Sequence, residues 1–104
     1  MNDFVSVISA ADIPNGTMKT VMISGIPVAL ANVDGTFFAV NDLCSHKQCS
    51  LGTEGVLDGT VVVCGCHGAR FDMGTGKALS LPATTDVATY ETKVENGNVW
   101  VKVL

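Results

Sequence analysis

The chain has 104 residues, 47% of them hydrophobic and 15% charged, which excludes a disordered tail and suits one modest core. Its formal net charge is −4 with only six Lys and Arg, all scattered, which excludes nucleic acid or an anionic membrane as the main partner. No apolar run approaches the roughly 18 residues needed to span a bilayer, so no membrane anchor is expected.

In chain order, short β-type runs alternate with turn signals. Phe4-Ser9 reads as a strand, and Ser9-Ala10-Ala11-Asp12-Ile13-Pro14 allows one short turn of helix at most. A Pro14-Asn15-Gly16 turn precedes the run Lys19-Ile23, and Ser24-Gly25 leads into Pro27-Asn32. Asp34-Gly35 then separates that run from Thr36-Asn41, a hairpin signal. Asp58-Gly59 precedes Thr60-Cys64, an apolar β-branched strand. Near the end, Ala88-Val94 and Val99-Val103 flank Asn96-Gly97, the strongest two-residue hairpin turn in the chain. No stretch has helical length and period, and there is no repeat, linker or low-complexity tract. The expectation is one domain over residues 1–104. Its fold is all-β, many short antiparallel strands in a sandwich or partly open barrel.

The chain opens Met1-Asn2-Asp3-Phe4, without the basic and long apolar regions of a signal peptide. Asn15-Gly16-Thr17 matches a glycosylation sequon and reads as a turn. A cytoplasmic address follows as the expectation. In that reducing setting, clustered cysteines serve metal or redox chemistry more often than a disulfide scaffold.

All four cysteines and both histidines fall in two patches, Cys44-Ser45-His46-Lys47-Gln48-Cys49 and Cys64-Gly65-Cys66-His67. The first contains Cys-x-His and the second Cys-x-x-His, with seventeen residues between His46 and Cys64. Val40 ends one strand before Cys44, and Val63 ends another before Cys64. Two loops at the same end of a sheet would bring the patches together.

This pattern, with its Cys64-Gly65-Cys66-His67-Gly68-Ala69-Arg70-Phe71-Asp72 context, resembles that of Rieske-type iron–sulfur proteins. The likeness is good from Asn41 to Ala83. It implies a Rieske-like fold with two cluster-binding loops at one end, and one [2Fe–2S] cluster. Carried over, Cys44 and Cys64 would bind one iron, and His46 and His67 the other. Replacing two anionic thiolates by two neutral imidazoles eases reduction. Rieske potentials accordingly span about −150 to +300 mV, against about −400 mV for plant-type clusters. Cys49 and Cys66 match the positions that form a bracing disulfide in the Rieske proteins of cytochrome bc complexes. The alternative is two reduced thiols packed beneath the cluster. Where those proteins carry hydroxyl donors to sulfur, this chain has Ala69 and Phe71, which implies a midpoint in the lower half of the range. Leu81-Pro82-Ala83 resembles the proline-containing loop that covers the cluster, or is an ordinary turn.

The competing use of the same residues is a structural zinc site, yet Cys-x-His with Cys-x-x-His departs from common zinc spacings. Cys-His nucleophilic catalysis leaves the matching ligand sets of the two patches unexplained. Trp100, Tyr90 and Phe4 read as core residues, and Phe37 and Phe38 as pointing to opposite faces of one strand. Lys47 and Arg70 flank the ligands and either steer a partner or form local ion pairs. No base, nucleophile or pocket motif stands outside the metal ligands, so neither catalysis nor a small-molecule substrate is expected. By resemblance the protein is a one-electron carrier, a ferredoxin passing electrons from a flavin reductase to an oxygenase or similar terminal enzyme. The alternatives are a small subunit of a larger redox enzyme of the nitrite reductase type, and a zinc-stabilised binding module.

Overall fold

The computed structural model describes residues 4–42, 50–65, 70–79 and 86–102. Among them the strands are β1 (Val5–Ser9), β2 (Met18–Ile23), β3 (Ile26–Val33), β4 (Thr36–Asn41), β5 (Val56–Asp58), β6 (Val61–Val63), β7 (Arg70–Asp72), β8 (Thr89–Glu95) and β9 (Asn98–Lys102). One 3-10 turn, Ala10–Asp12, falls where the short turn of helix is expected, and a four-residue helix α1 covers Leu51–Glu54.

Turn chemistry sets the long hairpins. Ser24-Gly25, Asp34-Gly35 and Asn96-Gly97 each place both residues at positive φ, between 50° and 86°. That is the backbone twist a two-residue antiparallel connection needs, and residues of this kind adopt it at low cost. They join β2 to β3, β3 to β4 and β8 to β9 with the flanking residues paired, Ile23 to Ile26, Val33 to Thr36 and Glu95 to Asn98. The Pro14-Asn15-Gly16 turn closes through the Thr17 amide on the Pro14 carbonyl at 3.1 Å.

All pairing is antiparallel. Six strands form one sheet in the order β1-β9-β8-β4-β3-β2, and its outer strands β1 and β2 approach each other, nearly closing a barrel. β5, β6 and β7 form a second, three-stranded sheet inserted between β4 and β8.

Two apolar clusters follow from the period-two alternation of β3 and β4. Val28 and Leu30 of β3, Phe37 and Ala39 of β4, and Val99 and Val101 of β9 belong to the barrel cluster, with Ile13 and Ile23. The alternate residues Ala29, Ala31 and Val40 face Leu51, Val62, Cys64, Phe71, Met73 and Val87, joining the barrel to the small sheet. β3 is therefore covered on both faces, and this explains its apolar run from Ile26 to Ala31. Phe37 and Phe38 do point to opposite faces, and each joins a different cluster. Tyr90 packs on the barrel cluster, but Phe4 and Trp100 are only half-buried and flank the Lys93 ammonium at 4.8 and 5.6 Å from their ring centres.

The sequence reading missed three elements. α1 begins at Ser50, whose hydroxyl accepts from the Thr53 amide at 3.1 Å. β5 and β7 have three residues each and exist by pairing on either side of β6. Arg70–Asp72, to which the sequence reading assigns no element, is strand.

Candidate metal centre

Of the predicted ligands the structure describes Cys64. It follows β6 and is 2% exposed, within the apolar cluster that holds Val40, Leu51, Val62 and Phe71. Cys44, His46, Cys49, Cys66 and His67 lie outside the described residues, as do Ala69 and Leu81-Pro82-Ala83. The Cys49–Cys66 pairing therefore also lies outside them.

The described residues show how the chain enters and leaves each of these segments. Segment 43–49 is bordered by Asp42 and Ser50. The Asp42 amide donates to the Pro27 carbonyl at 2.9 Å, and the Leu51 amide donates to the Asp42 carbonyl at 2.6 Å. The Asp42 carboxylate, 3% exposed with its residue, accepts from the Gly52 amide at 2.8 Å and from the Thr20 hydroxyl at 2.9 Å. Buried polar groups need such partners, and no buried side-chain polar atom among the described residues lacks one.

Segment 66–69 is bordered by Cys64-Gly65, which follow β6, and by Arg70, which pairs with Val63 across the two strands. The segment 80–85 is tied at its ends by Asp86, whose carboxylate accepts from the Ala78 amide at 2.8 Å. The Val87 amide donates to the Gly76 carbonyl, also at 2.8 Å, and the Leu79 amide to the Arg70 carbonyl. Val40 before the first segment, Leu51 after it, Cys64 before the second and Val87 after the third all belong to one cluster. The ends of all three segments thus converge. Asp42, Ser50 and Asp86 carry no ligand signal in the sequence. Ser50 alone had a legible cue, as a capping residue before Leu51.

The site is apolar. Phe71, fully buried, sits opposite Val62 and in the same cluster as Cys64, so its ring excludes water there. With three further cysteines and two histidines in the bordering segments of the sequence, the chain offers this buried sulfur a residue set that suits a soft or borderline metal. It fits an iron–sulfur cluster with mixed ligands. The Arg70 guanidinium meets Asp58 at 3.5 Å, with both side chains exposed to solvent. Of the two readings of Arg70, a local ion pair is the one seen.

No helix among the described residues is long and apolar enough to cross a membrane.

The family model described as the Rieske [2Fe–2S] domain matches residues 3–91. The chain is 40% identical over 92 residues to the ferredoxin component of the naphthalene 1,2-dioxygenase/salicylate 5-hydroxylase systems of a Ralstonia species, covering 88% of each chain. It is 42% identical over 91 residues to the 3-phenylpropionate/cinnamic acid dioxygenase ferredoxin subunit of Escherichia coli K12, covering 88% of this chain and 85% of that one. Among solved structures, a chain in the complex of reduced oxygenase and oxidised ferredoxin of carbazole 1,9a-dioxygenase superposes with a TM-score of 0.89. It is 36% identical, over 98% of this chain and 94% of that chain.

Proposed function

The chain belongs to the Rieske [2Fe–2S] family, and from that premise we propose that Cys44, His46, Cys64 and His67 are the ligands of its one cluster. The protein is a ferredoxin, an electron carrier and not an enzyme, and its partners are redox proteins. It serves an oxygenase system, receiving electrons from a flavin reductase and handing them to a terminal oxygenase. The observation that carries this is the likeness to ferredoxin components of dioxygenase systems over nearly the full length of both chains. No observation favours the nitrite reductase subunit, and zinc does not account for the family match.

The cluster supplies one-electron storage. The chain's own residues hold it: thiolates from both patches, with imidazoles whose neutrality keeps the reduced charge tolerable. Phe71 and the surrounding apolar cluster keep water from Cys64. The finer parts of the reading are a Cys49–Cys66 disulfide bracing the two patches, residues 1–104 acting as one unit, and a cytoplasmic location. A buried, unstrained disulfide resists the glutathione pool, so the cytoplasmic location is compatible with the disulfide.

The test is a redox titration of the purified protein followed by visible absorbance, with Cys64→Ala beside it. Reversible bleaching in wild type and loss of colour in the variant are expected. A colourless protein that unfolds with chelator returns the assignment to zinc. Non-reducing mass spectrometry of the intact chain checks the disulfide as a loss of two hydrogens.

A further inference from the structure

Thr20 lies in β2, a strand that carries no ligand, yet its hydroxyl reaches both borders of segment 43–49. Oγ1 stands 2.9 Å from Asp42 Oδ1, 3.1 Å from Ser50 Oγ and 3.0 Å from Thr53 Oγ1. A hydroxyl has one proton and two lone pairs. Donating the proton to the Asp42 carboxylate leaves both lone pairs to accept from Ser50 and Thr53, so the direction of all three bonds is fixed. The hydroxyl is saturated by residues on either side of the segment. Asp42 Oδ1 takes a second bond from the Gly52 amide, and Ser50 Oγ accepts from the Thr53 amide. The result is one directed network in which each bond polarises the next.

Space around it is filled. A Cβ on Gly52 would run into Thr20 Oγ1 and come within 2.9 Å of both Asp42 Oδ1 and the Thr20 amide nitrogen. Gly52 is thus the residue that lets α1 close onto β2. Thr20 is β-branched and stiff at χ1, so the hub itself is held at one orientation.

We propose that Thr20 is a positioning residue for the first ligand segment: its hydroxyl fastens the chain on both sides of 43–49 and so fixes the geometry that Cys44 and His46 present to the metal. This rests on the reading of Cys44 and His46 as ligands.

The test uses the holoprotein and three variants. Thr20→Val keeps the side-chain shape and removes the hydroxyl, and Thr20→Ser keeps the hydroxyl. Thr92→Val removes a different tertiary hydroxyl bond, to the Phe37 carbonyl at 2.6 Å near the far end of β4 from Asp42. Amide hydrogen exchange over residues 43–50 is expected to rise about tenfold in Thr20→Val. It stays near wild type in Thr20→Ser and Thr92→Val. The electron paramagnetic resonance spectrum of the reduced protein is expected to shift in Thr20→Val alone. Unchanged exchange in Thr20→Val overturns the proposal, as does an equal rise in Thr92→Val. Faster exchange with an unaltered spectrum also overturns it, because Thr20 is then only a structural tie. Should Thr20→Val not fold, Ser50→Ala is read in its place against the same two criteria. His46→Ala separates the premise from the proposal: a wild-type cluster in that variant refutes the ligand reading, whatever Thr20→Val does.

Discussion

Phe71 stands directly opposite Val62 across the β6–β7 pair, both without exposed surface, and shares an apolar cluster with Cys64. A phenyl ring here contributes burial and offers no hydrogen-bond donor. Phe71→Tyr adds a hydroxyl to a ring packed in the same cluster as Cys64, the proposed ligand, and Ala69→Ser installs the other hydroxyl that the family resemblance leads one to expect. A donor that favours the reduced, more negative state by about 1 kcal/mol raises a one-electron midpoint by about 40 mV. Each substitution is therefore expected to raise the potential by an amount of that order, read by redox titration. An unchanged midpoint in both refutes the idea that missing donors keep the potential low. Phe71→Ala is expected to cost about 3–5 kcal/mol by leaving a cavity, read by denaturant unfolding of the holoprotein.

Gly76 has φ of +75°, and a Cβ there would run into the Val87 carbonyl oxygen and lie 2.9 Å from Thr89 Cγ2. The same glycine accepts the Val87 amide that helps close segment 80–85. Gly76→Ala combines left-handed strain with a clash against backbone, and is expected to destabilise by about 2 kcal/mol or more. Gly16→Ala, at φ +82° in open space, isolates the strain alone and should cost clearly less. Equal losses in the two would show that the close approach to Val87 is immaterial.

Arg70 and Asp58 meet at 3.5 Å with side chains 44% and 72% exposed. Solvent screens such a pair, so Arg70→Gln should change stability by about 0.5 kcal/mol or less. A loss several times larger, measured by thermal unfolding, would mean that the guanidinium does more than pair with Asp58.

The midpoint should respond to pH if His46 and His67 are ligands. Each ligand imidazole keeps a ring N–H, and ferric iron makes that proton easier to lose. Above the pH where the oxidised form has lost it, reduction must take the proton back, so rising pH disfavours reduction. The potential is expected to be flat at neutral pH and to fall at alkaline pH, by about 59 mV per unit for one coupled proton. A midpoint flat into strong alkali removes both histidines from the ligand set.

Much of this architecture was legible in the chain because its turns are written in residues that tolerate positive φ. Asp34-Gly35 and Asn96-Gly97 announced hairpins and Ser24-Gly25 a turn, and each of the three made a hairpin. What stayed hidden was short. β5 and β7 have three residues, too few to show alternation, and are strands only because β6 lies between them. α1 is a single turn, capped by Ser50, with no period to detect. The ligand types and spacing were visible, and the family they pointed to is the one found. The role of Thr20 was not visible, because its partners Asp42, Ser50 and Thr53 lie 22 to 33 residues away. Nothing local marks a threonine as a hub.

β4 and β8 are adjacent in the barrel although residues 42–88 separate them: Val40 pairs with Thr89, and the Asn41 amide bonds the Ala88 carbonyl at 2.8 Å. The chain leaves the barrel and re-enters it at the same place. All four proposed ligands, Cys44, His46, Cys64 and His67, therefore fall within a single insertion at a seam between neighbouring strands. A replacement insertion would have to match the spacing of that seam, the shallow apolar face of Ala29, Ala31 and Val40, and the Thr20 hydroxyl of β2.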